Sequence, residues 1–537
     1  PVLALWAQEV NIEPNTSYDF RVFIKTKGVV GDVYPILSFS DNSGNQLYRN
    51  TLTPLVETNN WTECKFRFKP LEIASKIWVL LAVTCEKGTV WFDDVFLGVN
   101  SDFSYQTFMV DLNKKQGEVK TFLQVNGGPI DPEGRRVDLT WRFQEIGIEY
   151  VRTHDWYGPG DIHQIFPDLS KDPNNPANYN FAETDTLIEA VKNAGCDILF
   201  RLGESWEDPP VHNKPPSDFE KWADVCVHII KHYNEGWANG YQYGIKYWEI
   251  WNEPDIVQFW DGPLEEYYKL YEITAKKIKQ YDKTLKVGGP CLANPFGFEF
   301  IDGFLNYVKQ TGAPLDFFSW HLYWNSNPYS YVETEQFLEN RLASHNFQNV
   351  EIINTEWGII SQNEFELVNI YHSPINSSII GAVFAYMQPT RLIKLFRYRV
   401  DGYFLGLWDD NGNYYYPGLA FKAISEFKNT PILLKTQGGD NLGTTIIAAK
   451  SLDNTLINIL LSDYASPSEG YRVILKNLPT TKPFLYQCFR IDYNHELELI
   501  KEGRVVGSEF TISLPASSPY MELIKISIPE KKGKKRR

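Results

Sequence analysis

Two stretches of the chain carry side chains able to do acid–base and nucleophilic chemistry. The first is Tyr247-Trp248-Glu249-Ile250-Trp251-Asn252-Glu253-Pro254-Asp255. Its opening residues alternate aromatic or apolar with other types, which is a strand pattern. Pro254 removes a backbone donor and ends the strand, placing Asn252 and Glu253 at its C-terminal tip. A carboxylate beside a carboxamide, walled by Trp248, Trp251 and Pro254, suits sugar chemistry. Indoles offer flat apolar faces, the amide can hydrogen-bond a hydroxyl, and partial desolvation can keep a Glu protonated near neutral pH. The plain alternative is a strand that ends in a surface Glu.

About a hundred residues later a second apolar run, Val350-Glu351-Ile352-Ile353-Asn354-Thr355-Glu356-Trp357-Gly358, again leads to a Glu at a strand tip. Two carboxylates on two strand ends are what a glycosidase needs. One protonates the leaving oxygen, and the other attacks or activates water. Either match alone is weak; the ordered pair is specific.

The elements that must position this pair follow from the periodicity. Residues 1–100 read as short strands separated by turns, including Tyr18–Ile24 and Thr89–Val95. Residues 101–118 read as a connector. From 119 to 430 strands and helices alternate, which implies a parallel sheet with helical crossovers. Eight such units, with strands near 121–125, 150–154, 198–204, 248–253, 285–289, 317–323, 350–356 and 392–397, predict a (β/α)8 barrel whose active site lies at the C-terminal strand ends. Residues 431–529 lose the helix signal and read as a β-sandwich, and 530–537 form a basic tail.

Here the sequence resembles known families. Asn252-Glu253-Pro254 with Glu356-Trp357 is similar to the acid/base and nucleophile motifs of the retaining clan A glycosidases, which sit on barrel strands four and seven. The longer strings Tyr-Trp-Glu-Ile-Trp-Asn-Glu-Pro and Ser319-Trp320-His321-Leu322-Tyr323 resemble glycoside hydrolase family 39, the β-xylosidases and α-L-iduronidases. Pro14-Asn15-Thr16-Ser17-Tyr18 and Val90-Trp91-Phe92-Asp93-Asp94-Val95 resemble the jelly-roll carbohydrate-binding modules of families 4 and 9. The resemblance implies an α/β chain: a TIM barrel flanked by N- and C-terminal β-sandwiches.

It also implies roles. Glu253 is the general acid and then base, Glu356 the nucleophile, and Asn252 a ligand of the sugar hydroxyl at C2. Arg152 and His154, closing strand two, hold the sugar or orient Glu356, although Arg152 also fits an internal salt bridge. Glu204, closing strand three, is a rival carboxylate expected to contact substrate. His321 and Tyr323 share a strand face by their i,i+2 spacing, and Tyr323 is expected to hydrogen-bond the nucleophile. Trp357 is a candidate sugar platform or a packed indole. The implied reaction is retaining hydrolysis of β-glycosidic bonds in plant-type oligo- or polysaccharides, β-xylosides first. Other β-glycosidases, an endo-acting β-glycanase and a non-enzymatic glycan-binding barrel are the alternatives. The prolines and asparagines of Trp156–Asn180 and the proline-rich Glu207–Ser217 make long loops over the same face.

Composition excludes several classes. A formal charge of −15 over 537 residues argues against nucleic acid. No apolar run is long enough for a membrane span. The six cysteines, at 64, 85, 196, 226, 291 and 488, show no metal spacing. His154, Asp155 and His163 are irregularly spaced, so neither metal nor cofactor is expected. Cys196 and Cys291 read as buried thiols. The chain starts at Pro1 within an apparent strand, so the natural N-terminus is expected upstream. An extracellular location is favoured over a cytoplasmic one. Oligomeric state is not legible.

Overall fold

A computed structural model describes residues 2–131, 134, 136–323, 327–359, 363–401, 404–478 and 483–529. Residues 530–537, the expected basic tail, lie outside them. Eight parallel strands close into a barrel: Gln124–Asn126, Tyr150–Arg152, Asp197–Leu202, Tyr247–Ile250, Lys286–Leu292, Phe317–Leu322, Glu351–Trp357 and Leu392–Arg397. Strands buried on both faces need no alternation, and Phe317–Leu322 is buried at every residue.

The helices supply the outer ring. Helix Leu264–Tyr281, after strand four, buries Tyr267, Leu270, Tyr271, Thr274 and Ile278, the face expected from its 3.6-residue period. Helix Pro374–Tyr386, before strand eight, is buried almost all round, so it carries no such stripe. It lies between barrel and C-terminal sheet, where Ser462 packs against Gly381 and its hydroxyl donates to the Ser378 carbonyl.

The N-terminal unit is one five-stranded antiparallel sheet folded on itself. Its two long strands, Tyr18–Ser40 and Lys76–Val99, run through both layers. Near one end Tyr18–Ser40 pairs with Leu55–Phe68, and near the other with Gln46–Thr51. The layers meet through Phe39, whose ring packs edge-on against Phe68 at 5.1 Å. The unit docks on a barrel helix after strand six, where Thr53 donates to Glu333 at 2.5 Å and Glu57 pairs with Arg341.

The C-terminal unit is a nine-stranded sheet. One central strand corrects the sequence reading. Residues 101–118, expected as a connector, contribute strand Gln106–Glu118, paired with Ile432–Gln437 on one side and Gly470–Lys476 on the other. Phe108, Val110 and Leu112 point into that core while their neighbours remain more exposed. The segment is half a strand pattern in sequence, and its partners lie more than 300 residues away.

Among the described residues no helix is long and apolar enough to cross a membrane, and all six cysteines are free thiols.

Candidate active site

Glu253 and Glu356 meet at the C-terminal end of the barrel. One carboxylate oxygen of each, with a ring nitrogen of His321, fall within 4.8 Å of one another. Strand four itself stops at Ile250, so Asn252 and Glu253 stand just beyond the strand rather than at its last pair. The turn that carries them uses left-handed backbone at Trp251 (φ 71°) and Glu253 (φ 43°), an uncommon conformation for bulky residues. Hydrogen bonds to both neighbouring strands hold it: Trp251 N–H to the Leu202 carbonyl at 2.7 Å and Glu253 N–H to the Cys291 carbonyl at 3.0 Å.

Arg152, at the end of strand two, organises the floor. Its Nε donates to Glu249 at 2.6 Å, its Nη1 to Glu356 Oε1 at 2.7 Å, and its Nη2 to Asn252 Oδ1 at 2.7 Å. Asn126 on strand one accepts from Nη1 at 3.2 Å and anchors itself to the Thr355 carbonyl. The guanidinium is fully buried. It bonds Glu356 and Asn252 from beneath and is at the same time an internal ion pair with Glu249. With its oxygen occupied by Arg152, the Asn252 amide leaves its buried Nδ2 without a partner. A free donor in that place is what a sugar hydroxyl requires.

The two carboxyls sit in different fields. Burial pushes Glu253 up to about 8, with Arg152 opposing and Asp155 reinforcing the rise. Its direct partner is His321 Nδ1 at 2.6 Å. Burial also lowers His321, to about 4, so that imidazole is neutral at physiological pH. A neutral ring has one donor and one acceptor. A protonated Glu253 donating to Nδ1 leaves Nε2–H for Cys291 Sγ, 2.9 Å away. Burial raises Glu356 as well, but the Arg152 guanidinium opposes the rise. Glu356 accepts from Arg152 on one oxygen and from the Tyr323 hydroxyl on the other. Charge-assisted bonds of this kind favour the carboxylate form.

The remaining candidates divide. His154 Nε2 is 3.3 Å from Glu356 Oε1, and its buried Nδ1 has no partner. Glu204 is held by His163 Nδ1 at 2.5 Å and His163 N–H at 3.3 Å, and no hydrogen bond joins it to the pair among the described residues. Trp357 does not present a platform. Its indole is 3% exposed, edge-on to Tyr331 at 5.7 Å and under the Arg397 guanidinium. Trp248 and Trp251 are core rather than walls: Trp248 stacks on Phe200, and Trp251 packs between Trp222 and Trp260. A strand tip faces the helix ring with alternate residues, which sequence alternation alone cannot distinguish from the cavity side. Among the described residues Trp206 is an exposed indole near this rim, and its backbone N–H donates to Asp155 at 2.8 Å.

Several groups were not singled out from sequence for this site. Glu249 lies on the same strand and pairs with Arg152; its place in the Trp248–Glu253 run was the available signal. Cys291 is buried as expected, yet its sulfur sits inside the polar network, 3.0 Å from Arg152 Nη2 and 3.3 Å from Asn252 Oδ1. Asp155, read only as a weak metal candidate, accepts from Tyr398 at 2.5 Å. Asp255 accepts Ala293 and Asn294 N–H groups at 3.0 and 2.8 Å, tying the strand-four loop to that of strand five.

Comparison with known proteins agrees with this geometry. The model described as glycosyl hydrolases family 39 matches residues 119–391. A CBM_4_9-type model described as BppA domain 1 matches residues 2–97. A β-xylosidase of Geobacillus stearothermophilus is 28% identical over 251 residues, 44% of this chain and 48% of that protein. A β-xylosidase of Caldicellulosiruptor saccharolyticus is 29% identical over 204 residues, 34% of this chain and 39% of that protein. The chain thus spans about half the length, or less, of these curated relatives. The crystal structure of a glucosidase from Croceicoccus marinus superposes with a TM-score of 0.70 at 25% identity, covering 79% of this chain and all of the other. A monomeric β-xylosidase from Caulobacter crescentus CB15 gives 0.64 at 18%, with 79% and 100% coverage, and shares the fold. The family 39 match takes in both catalytic candidates and just over half of the chain, which belongs to glycosyl hydrolases family 39, a family of glycosidases.

Proposed function

We propose that this protein hydrolyses β-glycosidic bonds of plant-type glycans with retention of anomeric configuration, and that β-xylosides are its first substrates. The observation that carries the reading is the approach of the Glu253 and Glu356 oxygens to within 4.8 Å. Retaining enzymes hold their carboxyls about 5–5.5 Å apart, whereas inverting ones leave about 6.5–9.5 Å for a water. Glu253, kept protonated by burial, gives its proton to the departing oxygen as Glu356 attacks the anomeric carbon. The glycosyl-enzyme then loses its sugar to a water deprotonated by Glu253. Asn252 Nδ2 donates to the hydroxyl at C2, where contacts strengthen in the transition state. Arg152 and Tyr323 hold the Glu356 oxygens in line without contacting the sugar.

The xyloside preference rests on the two β-xylosidases found as relatives. A glucoside is the second reading, supported by the likeness to the Croceicoccus marinus glucosidase. A panel of nitrophenyl β-xyloside, β-glucoside and α-L-arabinofuranoside, followed by proton NMR of the first-formed sugar, tests both parts. Appearance of the opposite anomer before mutarotation rules out the double displacement. No release from any of the panel returns the barrel to a binding role.

A further inference from the structure

We propose that Arg397 builds a buried binding site for a small monovalent anion, chloride, behind the strand-seven wall of the barrel. Arg152, Arg201 and Arg397 are the arginines that the described residues bury completely. The first two are paired: Arg152 with Glu249 and Glu356, Arg201 with Asp161 at 2.6 Å. Arg397, the last residue of strand eight, is not. It is 1% exposed, and its Nε, Nη1 and Nη2 all lack a hydrogen-bond partner. No carboxylate pairs with it among the described residues; burial works against its charge, and the neighbouring side chains that oppose this are the phenols of Tyr331, Tyr371 and Tyr323, which are themselves neutral.

A guanidinium does not give up its proton in a protein, and an uncompensated buried charge is strongly unfavourable. Trp357 offers partial relief, its ring centre lying 5.2 Å from Arg397 Cζ. The place is nonetheless shaped for the cation. Gly358 leaves the space open, since a Cβ there would come within 2.6 Å of Nη1. Two further buried donors are orphaned nearby in the fold: the Trp357 indole N–H and the Tyr371 hydroxyl. Burial and the Glu366 carboxylate raise the Tyr371 phenol, and the Arg397 charge opposes them.

The unpartnered groups here are hydrogen-bond donors, and the guanidinium among them carries a full positive charge. Water needs acceptors for its own hydrogens and neutralises nothing. A monatomic anion accepts from any direction and balances the guanidinium one for one. Because Trp357 directly follows Glu356, an anion at Arg397 also braces the strand that carries the nucleophile.

Crystals of the full chain soaked in bromide test the site directly. An anomalous peak against the Arg397 guanidinium is expected, and its absence overturns the proposal. In solution, Tm is compared in sodium chloride and sodium gluconate at equal ionic strength. A saturable rise of about 2–4 °C specific to chloride is expected for the wild-type chain. Arg397→Met removes both the peak and the rise. An equal chloride response in Arg397→Met signifies a general salt effect and overturns the site. A bromide peak without any saturable Tm change denotes an adventitious ion only, and also overturns it. Should Arg397→Met fail to fold, the bromide soak and the wild-type titration decide.

Discussion

The ends of strands four and seven each present a glutamate to the same cavity, and they treat it in opposite ways. Glu253 stands beyond its strand on a left-handed turn, faces a neutral histidine, and is pushed up to about 8 by burial. Glu356 lies within its strand, and Arg152 and Tyr323 each donate to one of its oxygens. Burial is common to both. What separates the proposed acid from the proposed nucleophile is the number of donors aimed at the carboxylate, since each one favours the ionised form.

The largest effect expected from breaking this contrast is at strand seven. Glu356→Gly removes the attacking group, and turnover of every aryl glycoside should fall by on the order of 10⁴–10⁶-fold. Azide fills the vacated space and should give the inverted glycosyl azide, detected by NMR. Glu253→Ala should cost about 10²–10⁴-fold on glycosides with poor leaving groups. It should cost much less in the glycosylation step of an activated one, and azide should then yield the retained azide. The same anomer from both variants would mean that the two roles are wrongly divided.

The third test uses pH. Glu253 must carry its proton to act as acid, so kcat/KM should fall as pH rises through about 8, by about tenfold per unit beyond. Glu356 must be ionised, and its raised pKa sets the acid limb above the range of an ordinary glutamate. The alkaline limb should disappear in Glu253→Ala assayed with an activated substrate. A limb that survives there belongs to another group.

Smaller effects test the surroundings. Glu204→Gln should stay within about tenfold of wild type on aryl glycosides, because it loses one hydrogen bond to His163 and no contact with the pair. The smallest effect on hydrolysis is expected in the N-terminal sheet. Trp61 and Trp91 lie exposed on strands that flank Lys25, whose ammonium is 5.7 Å from the Trp91 ring. Trp61→Ala with Trp91→Ala should leave aryl glycoside kinetics unchanged while reducing retention on insoluble xylan. Unaltered retention would make that sheet a structural unit.

Much of the architecture was legible because it is written locally. The barrel strands between 145 and 360 announce themselves as apolar runs of the right length, and helix Leu264–Tyr281 by its period. Gln106–Glu118 and helix Pro374–Tyr386 were harder to read, for a shared reason. Each takes its place from partners distant in sequence, and a helix buried all round has no stripe to detect. The six cysteines illustrate the same limit, since nothing in their spacing tells the Cys291 sulfur, at the centre of the polar network, from that of Cys196 in the core.

Sequence alone determined the two glutamates, the amide beside the first, and their order along a barrel, because residue type and strand periodicity are properties of short stretches. Barrel closure decided the rest. It brought Glu253 and Glu356, over a hundred residues apart, within 4.8 Å. It placed Arg152 from strand two beneath both strand four and strand seven, and turned Trp248, Trp251 and Trp357 into packing. Distance and burial are what shift a pKa and orient a donor, and both are set by which strands become neighbours in space.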